Sequence, residues 1–94
     1  MKDDTRPDYL TEGADGSLTV QLLRPADIAG AKVPSLTMRE PTVGDQLAVD
    51  KIKSTGEREV AWIANLCGVA PAELHKLTMR DYGRLQEALG DFLV

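Results

Sequence analysis

The chain has 94 residues, 43% of them hydrophobic and 28% charged, the balance of one globular domain with no room for a second core. Its formal charge is −4. Nucleic-acid affinity comes chiefly from Lys and Arg neutralising phosphates, so an acidic chain without a basic cluster argues against DNA, RNA and anionic membranes as main partners. Cys67 is the only cysteine, which excludes an intramolecular disulfide and a thiolate cluster. Tyr9, Trp62, Tyr82 and Phe92 are the only aromatics, so the core must be mostly aliphatic. A domain this small buries only ~60% of its unfolded surface, and partner contacts can add to its stability.

Residues 1–16 are polar, with Pro7, Gly13 and Gly16 and little periodicity, and read as a flexible N-terminal tail. Met1-Lys2-Asp3-Asp4 lacks the apolar stretch of a signal peptide, and no run approaches the ~20 apolar residues of a membrane span. A cytoplasmic location is the expectation.

Residues 17–94 read as one α+β domain. From Ser17 to Leu23 the chain alternates, with Leu18, Val20 and Leu22 on one face, and Arg24-Pro25 ends this strand. Ala26 to Lys32, with Gly30, reads as a connector too long for a tight hairpin turn. Val33 to Arg39 forms a second strand, with Leu36 and Met38 inward, Thr37 and Arg39 outward, and Pro34 suited to a strand start or an edge. The two strands pair as an antiparallel ribbon, which must pack on something to persist in water.

The block Leu36 to Asp45 stops the strand at Pro41 and starts a helix. Thr42 can cap it, and Asp45 can reach back to the cap's N–H in a variant of the capping box. That helix runs from Thr42 or Val43 to about Ser54. Ser54-Thr55-Gly56-Glu57 starts the next, which carries Val60, Ile63, Ala64 and Cys67 on one face, with Trp62 and Leu66 widening the apolar arc. Gly68 suits its left-handed end, and Pro71 opens a short helix to Lys76. Thr78 caps the last helix, and Leu77 and Tyr82 match a hydrophobic staple. Met79, Tyr82, Leu85, Leu89, Phe92 and Leu93 form its stripe, away from Arg80, Asp81, Arg84, Glu87 and Asp91, and both Glu57-Arg58-Glu59 and Arg80-Asp81 read as solvated helix starts rather than binding patches. The result is a two-stranded ribbon followed by three or four helices.

Chemistry is sparse. His75 is the only histidine, without an activating partner or co-ligands in a recognisable motif, and reads as a solvated surface residue. Cys67 lies in an apolar helix and reads as a small buried hydrophobe. Gly13-Ala14-Asp15-Gly16 lacks the lysine and helix of a phosphate loop. The expectation is therefore no enzyme, no cofactor and no metal. Trp62 is core by residue type, yet its place on the shoulder of its helix and the enrichment of Trp at hot spots make it an interface candidate.

The block Leu36 to Asp45, with Arg39-Glu40-Pro41-Thr42 and Gly44-Asp45 at its centre, resembles the strand-to-helix block of the phage tail assembly chaperones of Mu-like contractile-tailed phages. Val20 to Pro25 resembles that family's opening strand. Gly56-Glu57 to Gly68 resembles its central helix, and Leu74 to Leu77 with Asp81-Tyr82 and Leu85 its last segment. The likeness covers about Leu18 to Leu93, with Leu36, Arg39, Glu40, Pro41, Thr42, Gly44, Asp45 and Asp81 as structural motif residues. It implies a non-enzymatic protein of the bacterial host cytoplasm. Such a protein binds the long, helical tape measure protein during tail assembly and leaves before the virion is complete; in relatives a ribosomal frameshift yields a second, longer product.

A helix-in-groove mode on the helices after Pro41 follows, with Trp62, Leu66, Leu89 and Phe92 as contacts. A homo-oligomer is also open. Two alternatives stand beside it. One is a helix-turn-helix DNA-binding regulator, with Val60 to Lys76 as helix, turn at Gly68 and helix. The other is a permanent minor structural protein of the tail.

Overall fold

The computed structural model describes residues 6–94. Strands β1 (Leu10–Glu12), β2 (Leu18–Ile28) and β3 (Ala31–Met38) form an antiparallel sheet in the order β1-β2-β3. Helices α1 (Val43–Val49), α2 (Thr55–Cys67), α3 (Pro71–Leu74) and α4 (Met79–Phe92) follow. The α+β class stands, but the expected two-stranded ribbon has a third strand. Leu10 pairs with Val20 and is only 6% exposed, so part of the expected tail belongs to the sheet. A strand of three residues is too short to show alternation. Arg6 adds to the tie by reaching both Glu12 (3.1 Å) and Asp91 (2.8 Å). The first five residues of that expected tail lie outside the described residues.

Leu18, Val20 and Leu22 of β2 are buried as their alternation requires, facing Leu36 and Met38 of β3 across the ladder. Thr19 and Thr37 share a hydrogen bond of 3.1 Å on the outer face. β2 does not stop at Arg24-Pro25. Four of its residues, Leu22 to Pro25, stand against the single Pro34 of β3, and pairing resumes at Ala26 and Val33. Neither proline needs a ladder N–H inside this bulge, so both are accommodated. The register then closes on a two-residue turn, Ala29-Gly30, between the paired Ile28 and Ala31. Both turn residues have positive φ, 52° and 84°, as a type I′ hairpin demands. The connector expected there is therefore a tight turn.

The bulge is held by α4. Asp81, 1% exposed, accepts the backbone N–H groups of Leu23 (2.7 Å) and Arg24 (3.1 Å), which the ladder leaves unpaired. The expectation of a solvated Arg80-Asp81 helix start is corrected for Asp81. Its helix begins against the bulge, and its carboxylate satisfies backbone donors there. Arg84, one turn on, donates to the Gln21 carbonyl at 2.7 Å and stacks over the Tyr9 ring, 4.0 Å from its centroid.

Local signals set the helix starts. Thr42, Ser54 and Thr78 each accept the N–H of the residue three positions on, Asp45, Glu57 and Asp81. Gly68 ends α2 with φ 70°, where a side chain would be strained. α1 and α3 are shorter than the sequence predicts. α4 packs on β2 and α2 on β3. Leu18, Val20, Met38, Ile63, Ala64, Leu85 and Ala88, none more than 1% exposed, form the centre of the core.

Candidate functional site

The motif block folds as a corner. Leu36 and Met38 are buried, and Arg39 donates its N–H to the Leu66 carbonyl at 3.1 Å, fixing the end of β3 to α2. The Asp45 carboxylate accepts both Arg39 guanidinium nitrogens, at 2.7 and 2.8 Å, and the Thr42 N–H at 2.9 Å. With the Thr42 hydroxyl accepting the Asp45 N–H at 3.3 Å, the capping box is complete. The Arg39 pair, then the Thr42 bonds, hold the Asp45 carboxyl well below the usual carboxylate range. Pro41 is half-buried, while Glu40 and Gly44 are exposed.

The helices launched from this corner enclose a groove of about 560 Å³ between α1, α2 and α4. Val49, Trp62, Leu89 and Leu93 supply its apolar wall, and Gln46, Asp50, Arg58, Glu59 and Gln86 its polar part. Arg58 is turned to its own chain, donating to the Ile52 carbonyl at 2.9 Å. Leu93 in its wall and Leu47 elsewhere on α1 are more than half exposed. The Trp62 ring is half-buried, and its indole N–H is buried without an acceptor among the described residues.

A second, more apolar cleft of about 370 Å³ lies between α2, α3 and α4, lined by Val60, Leu74, Leu77, Met79 and Tyr82 among others. Met79, expected on the apolar stripe of α4, is 77% exposed at its rim. Glu59 stands between the clefts: one of its oxygens accepts Tyr82 Oη at 2.8 Å and Gln86 Nε2 at 2.9 Å. Burial, then this bond, pushes the Tyr82 phenol far up.

Of the four expected contact residues, the groove brings together Trp62 and Leu89. Leu66 is 2% exposed, inside the core against the sheet. Phe92 is half-buried on another face, in a cleft with Arg6, Leu18 and Glu40. Val49 and Leu93 take their places in the groove. Leu93 continues the stripe from Leu89 at i+4, a spacing readable in the sequence; Val49 gave no such signal.

Cys67 is largely buried, and burial pushes its thiol up to about 12. Among the described residues no cluster of three or more His, Cys, Asp or Glu is placed to hold a metal ion. No helix among them is long and apolar enough to cross a membrane. The second helix of a helix-turn-helix reading, α3, has only four residues.

Residues 19–94 match the family model described as phage tail assembly chaperone proteins, E, or 41 or 14. No curated protein and no solved structure gives a significant match. The matched span contains nearly all of β2, all of β3 and every helix, so the corner, the bulge clamp and both clefts lie within it. The chain belongs to the phage tail assembly chaperone family.

Proposed function

We propose that this protein is a non-enzymatic chaperone that binds the tape measure protein in the host cytoplasm during tail assembly and is absent from the mature virion. Family membership supports the assembly role and protein partners. The groove between α1, α2 and α4 supports the binding mode, and it is the observation that carries the reading. A helix that exposes a long apolar stripe aggregates when alone. A groove walled by Val49, Trp62, Leu89 and Leu93 offers such a stripe apolar contact, chiefly at Trp62 and Leu93, with polar groups in the same lining to set orientation. The net charge of −4 adds solubility to the complex.

Co-expression with the tape measure protein of the same phage tests this. The expected outcome is a soluble complex, weakened by Trp62→Ala. A tape measure protein that stays insoluble, with no complex on size exclusion, refutes the reading. Mass spectrometry of purified virions separates a chaperone, which leaves, from a permanent tail subunit, which stays.

A further inference from the structure

We propose that Glu59 reads a basic residue on the bound helix, a Lys or Arg flanked by apolar side chains that enter the clefts on either side of it. This rests on the reading that a helix docks on this face. The two clefts have different walls, Val49, Trp62, Leu89 and Leu93 in one, Val60, Leu74, Leu77 and Met79 in the other. Glu59 and Gln86 alone line both.

The carboxylate is preorganised. Tyr82 and Gln86 both donate to the same oxygen, Oε1, and both are neutral, so they fix the group without cancelling its charge. The other oxygen has no partner among the described residues. Arg58, the only Lys or Arg lining either cleft, donates to the Ile52 carbonyl. Asp50 adds a second acid to the first cleft, so among the Asp, Glu, Lys and Arg side chains that line the clefts two carboxylates stand against one guanidinium, with His75 in the second cleft. Charge complementarity therefore selects a basic occupant.

Spacing agrees. Tyr82 lines the second cleft and Leu89 the first; two turns of α4 separate them, about 10 Å of helix rise. Apolar residues at i−4 and i+3 around a Lys or Arg at i span the same length on a partner helix.

The test uses the full chain and three synthetic amphipathic helices of Leu and Ala, identical except for Lys, Gln or Glu between the two apolar anchors. Trp62, the only tryptophan, reports binding by its fluorescence. The Lys peptide should bind about threefold to tenfold more tightly than the Gln peptide, with the Glu peptide weakest, and added salt should narrow the gap. In Glu59→Gln, which keeps an oxygen for Tyr82 and Gln86, the three affinities should converge while circular dichroism stays unchanged. Equal affinities in the parent protein, an order that survives Glu59→Gln, or no binding of any peptide would each overturn the proposal. So would a dimer of this chain that Glu59→Gln dissolves, since the face then serves a second copy. If the Lys peptide behaves as expected but the tape measure protein forms no complex, the partner is wrong and the role of Glu59 stands.

Discussion

The Asp81 carboxylate accepts the Leu23 N–H at 2.7 Å, joining the first turn of α4 to a bulge in β2 that lies 58 residues earlier. The same group accepts the Arg24 N–H, so one buried side chain completes the hydrogen bonding of a stretch that the sheet leaves open. Asp81→Ala leaves both donors unpaired. The expected loss is about 3 kcal/mol, a large share of a small domain's stability, with Asp81→Asn losing less because it keeps one acceptor. Urea unfolding measures both. A change under about 0.5 kcal/mol for the alanine variant means that water replaces the carboxylate without penalty.

At the corner, Thr42→Ala removes the cap of α1 and should cost about 1 kcal/mol. Asp45→Ala should destabilise more, since it also loses the Arg39 pair and the bond to the Thr42 N–H. Neither residue lines the groove, so partner affinity should be unchanged when measured well below the unfolding midpoint. Lost binding in a stably folded Thr42→Ala protein would place the working surface at the corner instead.

Acid should unfold the protein through identifiable groups. Asp45 is held down chiefly by Arg39, Glu73 by the N–H groups of Ala70 and Ala29, and Asp15 by Ser17. Their folded values lie below their unfolded ones, so their contribution is complete above the ordinary carboxylate range and is lost as pH falls through the folded values. Urea midpoints measured between about pH 6 and about pH 2 should fall less steeply for Asp45→Asn combined with Glu73→Gln than for the parent protein. Parallel curves would show that other carboxylates control the acid limb.

Cys67 should be inert in the folded state. With its thiol pushed up to about 12 by burial, almost no thiolate exists at neutral pH. A thiol reagent such as DTNB should react negligibly with native protein and with one thiol per chain after denaturation. Rapid reaction without unfolding would show that α2 opens locally at this point.

Short-range signals were legible in the sequence, and long-range ones were not. The caps at Thr42, Ser54 and Thr78, and the alternation of Leu18, Val20 and Leu22, depend on neighbours within a few residues and appear where expected. The burial of Asp81 depends on amides far away in the chain, so its charge alone placed it in solvent. The tight turn at Ala29-Gly30 was hidden because its register is set beyond the bulge opposite Pro34. It is held from outside as well: Glu73 of α3 accepts the Ala29 N–H at 2.7 Å. For the groove, the 3.6-residue period found the apolar arc of α2 but not its rotation on the sheet. That rotation puts Leu66 inside and leaves Trp62 at the surface of the groove.

The clamp between β2 and α4 also bears on the order of synthesis. The hairpin of β2 and β3 leaves the ribosome first, with the Leu23 and Arg24 N–H groups bare and Leu18, Val20 and Leu22 uncovered. Their partners, Asp81 and the inner face of α4, are made last among the described elements. At about 5–20 residues per second, several seconds separate the two. The nascent hairpin therefore lacks its Asp81 acceptor until α4 is available, and a ribosome stalled before Asp81 would hold a chain whose bulge is unclamped and whose sheet has only α2 to cover it.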